Sequence, residues 1–111
     1  MRRISVLSLA GLFLAVAFCW GHSSARAEDG KALYADKCVS CHGEKGDGKG
    51  AMAICYNPPP TSFLDPKFWQ GDVNKKITDA AENGKGQMPA VPGLKPQDIK
   101  AIIDYMSHTF K

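Results

Sequence analysis

Cys38-Val39-Ser40-Cys41-His42 restricts this chain more than any other stretch. Two cysteines three positions apart, with a histidine directly behind the second, put both sulfurs on one side of a single helical turn. Such a group serves a structural zinc, a disulfide shuttle, or the covalent attachment of a cofactor. Zinc needs a second pair of ligands, and the shuttle needs a strand and helix arrangement around it. An attached cofactor instead suits a small chain whose own core is thin. The remainder of the sequence decides among the three.

The N-terminus sets the compartment. Met1-Arg2-Arg3 leads into Ile4 to Trp20, apolar except for serine and glycine, and then into "GHSSARAEDG". A positive end, an apolar run short for a bilayer span, and small residues at spacing two in Ala25-Arg26-Ala27 describe a secretory signal, with cleavage expected after Ala27. The alternative is an uncleaved anchor, and a membrane location is expected only in that case. A lipid on Cys19 is disfavoured by the bulky Phe18 before it. Residues 1–27 are therefore expected to be the signal and residues 28–111 one small periplasmic domain.

All three arginines fall in the leader, which leaves eleven lysines against eleven acids. A formally neutral domain without a lysine run or an aromatic-interleaved basic patch gives no reason to expect a nucleic-acid or anionic-membrane partner. Ordering costs about 1.5 kcal/mol per residue, and the bulky apolar residues are few and scattered. Small exported domains usually meet this shortfall with disulfides, a metal or another bound group. The exported part keeps Cys38, Cys41 and Cys55, an odd number, so a disulfide framework is not the main answer.

The elements read as helices joined by informative loops. Asp29 to Lys37 places Gly30, Leu33 and Tyr34 on one side of a helix. "GEKGDGKG", with four glycines in eight residues, must then be a loop that needs positive φ or close backbone approach. Pro58, Pro59 and Pro60 forbid helix and form an extended strap without backbone donors. Asp65-Pro66 reads as an N-cap opening a short turn through Phe68 and Trp69. Val73, Ile77, Ala80 and Ala81 mark a helix that opens at Asp72 and ends at Gly84. "KGQMPAVPGLK" is a loop, and a last helix from Pro96 carries Ile99, Ile102, Ile103 and Met106 along one face with Tyr105 beside it. No alternating strand pattern appears, so the fold class expected is all-α, about four short helices.

Zinc would have only Cys55 and His108 to add, far apart and unpatterned. The thiol shuttle lacks its strands and leaves His42 unexplained. Covalent haem attachment accounts for both: Cys38 and Cys41 reach the two vinyl groups on one edge of the porphyrin, His42 ligates the iron, and the flat apolar macrocycle completes the core. A sixth ligand then comes from Met52, Met88, Met106, His108 or a lysine. Met106 lies on the apolar stripe and reads as core filler. Met52 is close in sequence to His42, and His108 is expected to face solvent. Met88 is the expected ligand, because "GQMPAVP" fixes it in an irregular loop after Gly84 and Gly86 and before Pro89.

Over residues 28–111 the sequence resembles the class I c-type cytochromes, the small bacterial single-haem members especially. "GKALYADKCVSCHG" resembles the family's first helix and haem site, "GQMP" its methionine loop and "PQDIKAIIDYM" its closing helix. The resemblance implies that Gly30 lets the first helix approach the last closely, against Ile102 and Tyr105, while Tyr34 fills the crossing. It also implies that a carbonyl of the strap, at Pro58, Pro59 or Pro60, accepts a hydrogen bond from the His42 ring. Tyr56, Phe63 and Trp69 are candidates to line the haem or to serve as ordinary core. Two features depart from the pattern. Lys95 is a poor N-cap, at a cost of about 1 kcal/mol, and Cys55 is an unpaired thiol, expected buried and inert, with a disulfide-linked dimer as the alternative.

With His42 and Met88 both on iron, no position stays open for substrate, and one-electron exchange is what remains. The expectation is a monomeric periplasmic carrier, not an enzyme, that docks transiently with a redox donor and acceptor, with Lys37, Lys45 and Lys49 candidates for steering. A peroxidase or gas sensor would need an open iron position. Stable membership in a larger complex is a third reading.

Overall fold

A computed structural model of the chain describes residues 25–111, so the apolar run from Ile4 to Trp20 and Cys19 lie outside the described residues. Four helices follow in order: α1 (Ala25–Lys37), α2 (Val39–His42), α3 (Val73–Asn83) and α4 (Pro96–Thr109). Two 3-10 turns, Ala53–Cys55 and Pro66–Trp69, punctuate the long connection between α2 and α3. Among the described residues the only β-type pairing is an isolated antiparallel bridge between Lys85 and Met88. The fold class is all-α, as the absence of alternating patterns implied.

The helix signals in the sequence act as written. Asp72 Oδ1 accepts from Lys75 N–H at 3.0 Å and caps α3, and Gly84 closes it at φ 75°. Asp65 Oδ1 likewise accepts from Lys67 N–H at 2.9 Å at the head of the second 3-10 turn. The weak cap at Lys95 is partly offset, because Asp98 Oδ2 reaches back to accept from Lys95 N–H at 2.9 Å, one half of a capping box. α1 begins four residues earlier than Asp29, at Ala25, so the helix crosses the expected cleavage point at Ala27.

α4 is the spine of the domain. Its apolar stripe is wide enough to serve two neighbours: Ile102 and Met106 join Tyr34, Phe63 and Phe110 in one cluster, while Ile99 and Ile103 join Ala81 of α3 in a second. Ile77 and Leu94 pack against both clusters and make them continuous. Each fully buried Ile, Met or Phe stabilises by about 1.5–3 kcal/mol, so the stripe is where most of the side-chain driving force collects. Met106, 2% exposed, is core filler.

The α1–α4 crossing is close because Gly30 has no side chain. A Cβ there would run into the Ala101 carbonyl and lie 3.0 Å from Tyr105 Cβ. The close approach implied for Gly30 is therefore present, with Ala101 rather than Ile102 as the partner beside Tyr105. Tyr34, 1% exposed, fills the crossing, with ring centroids 5.5 Å from Tyr105 and 5.3 Å from Phe110. Its hydroxyl donates to Gly43 O at 2.8 Å, and burial pushes its pKa up. The core of the helix crossing is thereby bonded directly to the residue that follows His42.

Candidate functional site

The cysteine turn continues α1. Cys38 N–H donates to Tyr34 O at 2.9 Å, and His42 N–H donates to Cys38 O at 2.9 Å, so residues 38–42 form a helical turn with both thiols half-buried and Ser40 exposed between them. The glycine loop then folds back and occupies the turn's free carbonyls. Gly48 N–H donates to His42 O at 2.9 Å, Gly50 N–H to Cys41 O at 3.0 Å and Met52 N–H to Ser40 O at 2.8 Å. A side chain at Gly50 would strike the Ser40 carbonyl and come within 2.5 Å of Val39 O, so close approach demands glycine there. Three successive backbone bonds leave the turn little freedom to shift.

The His42 ring is fixed in tautomer as well as position. Nδ1 lies 3.0 Å from Thr61 O. A carbonyl only accepts, so Nδ1 carries the proton and Nε2 keeps its lone pair free for a metal. The acceptor is thus the residue just past the strap, not Pro58, Pro59 or Pro60, and the prolines hold it out by stiffness rather than by bonding. The ring also stacks on Phe63, with centroids 4.5 Å apart and planes inclined by 22°. Burial lowers the His42 pKa, with the Thr61 bond opposing, which favours the neutral imidazole that metal binding requires. Phe63 is buried in the core, and Trp69 Nε1–H donates to its carbonyl at 2.8 Å. Tyr56 is half-buried.

Met88 sits half-buried in the α3–α4 connection. Reciprocal bonds of 2.9 Å between the backbones of Lys85 and Met88 close a tight turn around Gly86 and Gln87. A tie that the sequence did not reveal joins this loop to the strap: Asn57 N–H donates to Gln87 Oε1 at 3.1 Å, and Gln87 Nε2 donates to Asn57 O at 2.5 Å. Of the other candidate ligands, Met106 is buried in the core and Met52 is 49% exposed. His108 is exposed on α4, its Nδ1–H donating to Asp104 O at 2.6 Å.

These residues fit an attached haem better than the two competing uses of the cysteines. Among the described residues no group of three or more His, Cys, Asp or Glu is placed to hold a metal directly. Burial pushes the Cys38 thiol up to about 11, with Cys41 adding to it, whereas exchange chemistry relies on a lowered thiol pKa. Two thiols and an imidazole with a free Nε2 share one rigid turn, and the 3-10 turn bonded to it exposes Met52 and 91% of Ile54, apolar surface suited to a flat apolar partner. Cys55, expected buried, is exposed. It ends a 3-10 turn whose neighbours leave it outside the core.

Comparison with known proteins points the same way. The family described as cytochrome c oxidase, cbb3-type, subunit III matches residues 25–106. Cytochrome c-553 of Nitratidesulfovibrio vulgaris is 32% identical over 113 residues, covering 96% of this chain and 98% of that protein. The cbb3-type oxidase subunit CcoP of Azospirillum brasilense is 31% identical over 85 residues, 75% of this chain, and a thiosulfate dehydrogenase of Psychrobacter arcticus is 34% identical over 83 residues, 73% of this chain. The chain spans only 28% and 25% of the lengths of those two proteins. A solved c-type cytochrome, KustC0563, shares the fold with a TM-score of 0.62 at 22% identity, covering 75% of this chain and 99% of its own. The chain belongs to the c-type cytochromes, an electron-carrying family, and its cofactor is the covalently attached haem c of that family.

Proposed function

We propose that the protein is a periplasmic one-electron carrier in which Cys38 and Cys41 would hold haem through thioether links, and His42 and Met88 would ligate its iron. When bound, the haem supplies reversible ferric–ferrous exchange. The chain's part is to hold that centre still and closed. The observation that carries the reading is the bond from His42 Nδ1–H to Thr61 O, which leaves Nε2 as the only free nitrogen on a turn already bearing both thiols. A methionine thioether paired with an imidazole would favour the ferrous state relative to two imidazoles. With His42 and Met88 both holding the iron, no position would be left for substrate, and electron exchange with a donor and an acceptor would be the activity retained.

Export rests on the leader of residues 1–27, with the domain starting at Glu28. No helix among the described residues is long and apolar enough to cross a membrane. The partners suited to a small carrier are other redox proteins of the respiratory chain, met through a small, short-lived interface by a monomer. The thiosulfate dehydrogenase similarity spans a quarter of that enzyme and gives no separate reason to assign its reaction here.

The test is Met88→Ala in protein matured with haem. The wild type is expected to show a haemochrome spectrum of the thioether type and, when oxidised, the weak red-end absorption of a sulfur–iron bond. Met88→Ala is expected to lose that absorption and to bind carbon monoxide when reduced. A wild type that lacks the band and binds carbon monoxide freely would overturn the ligand assignment.

A further inference from the structure

We infer that Gln87 is a positioning residue: its amide, paired with both backbone groups of Asn57, holds the methionine loop to the same strap that orients His42. The inference rests on the proposed ligation by Met88 and goes further, since it names what keeps that ligand in place.

Asn57 and Gln87 are thirty residues apart, yet a side-chain amide satisfies both the N–H and the C=O of one residue, as a neighbouring strand would. Few other ties anchor the tip of the loop. The Lys85–Met88 bonds are internal and fix the turn's shape without fixing its place. Gly86, at φ 57°, would find nothing within 4 Å of an added side chain, so the tip has no packing neighbour there. The loop's other anchor is at its far end, where Val91 N–H donates to Ala81 O at 2.8 Å.

The other end of the connection is stiff. From Asn57, three prolines with fixed φ and no donors lead to Thr61, whose carbonyl accepts from His42. The imidazole is thus referenced to one end of a five-residue segment and the methionine loop to the other. Loosening the Gln87 pair should free the methionine sulfur to leave without disturbing the histidine. Two solvent-exposed hydrogen bonds at the lower end of their usual net worth correspond to about a fivefold change in the ease of that departure.

The experiment uses full-length protein matured with haem, as wild type, Gln87→Met and Gln87→Glu. Carbon monoxide affinity of the reduced protein reads displacement of the methionine by a ligand that does not itself titrate. Gln87→Met matches the side chain in length and removes both bonds, so carbon monoxide should bind about fivefold more tightly. Gln87→Glu supplies a signature that loss of packing would not produce. Above about pH 4.3 its carboxylate cannot donate to Asn57 O and repels it, and affinity should exceed the wild type's. Below that pH the protonated acid both donates and accepts, and the ratio to wild type should fall back toward one. Should Gln87→Met fail to mature, the Gln87→Glu titration decides alone.

A Gln87→Met affinity within twofold of wild type, or a Gln87→Glu ratio that ignores pH, overturns the clamp while leaving Met88 as ligand. A wild type without the sulfur–iron band overturns the Met88 reading first, and the clamp with it.

Discussion

The two sides of the site are built differently. On the histidine side the cysteine turn continues α1, the glycine loop bonds to three of its carbonyls, and the Tyr34 hydroxyl joins the next residue to the buried helix crossing. On the methionine side Met88 rides a loop with glycines at positive φ at positions 84, 86 and 93, of which Gly86 and Gly93 would meet nothing if given side chains. One candidate ligand is fixed by the act of folding. The other is held by a local turn, a pair of exposed side-chain bonds and one backbone bond, from Val91 to Ala81, at the loop's far end. Small changes should therefore act on the histidine side through global stability, and on the methionine side through ligation with the fold intact.

A glycine-to-alanine pair tests this most directly. Gly30→Ala drives a methyl group into the Ala101 carbonyl, and because backbone is the obstacle neither helix can yield cheaply. Overpacking of that kind costs about 3 kcal/mol, against about 1 kcal/mol gained in helix propensity. A net loss of about 2 kcal/mol should appear as a lower urea midpoint, with the haem spectrum of the remaining folded protein unchanged. Gly86→Ala meets open space and costs only the left-handed backbone strain, about 1 kcal/mol. That smaller cost should show as fading of the sulfur–iron band at temperatures below global unfolding. If Gly86→Ala lowers the urea midpoint as much as Gly30→Ala does, the contrast between the two sides fails.

The same contrast explains what the sequence could reveal. α3 and α4 were legible because their signals are local: a capping aspartate, a closing glycine and an apolar stripe in between. The cysteine turn was legible because three chemically distinctive residues stand together. Thr61 was not, since any carbonyl can accept from an imidazole and only the path of the strap decides which one arrives. Nor was the Gln87–Asn57 pair, which depends on where two loops meet and leaves no periodicity. Gly30 lies between these cases. Its need for close approach followed from the resemblance, but the partner, Ala101 rather than Ile102, depends on how the helices are rotated about their crossing. Cys55 was expected inside because a free thiol is usually buried. Its place on a short 3-10 turn after the glycine loop keeps it out.

That exposure makes Cys55 the position from which the two sides can be compared with the least disturbance. It lies between Met52, bonded to the cysteine turn, and Asn57, bonded to the methionine loop. Cys55→Ser removes little buried surface and should shift stability by less than about 0.5 kcal/mol. The wild-type mass should be the same with and without reductant, as expected of a monomer, and a doubled mass that vanishes in Cys55→Ser would replace that expectation with a covalent dimer. A neutral thiol label on Cys55 then gives the finest test. The stretch toward Met52 is braced by the backbone bonds of the glycine loop, while the stretch toward Asn57 ends in the side-chain clamp. A bulky label should weaken the sulfur–iron band slightly before it affects the urea midpoint, and the reverse order would mean that the histidine side is the softer of the two.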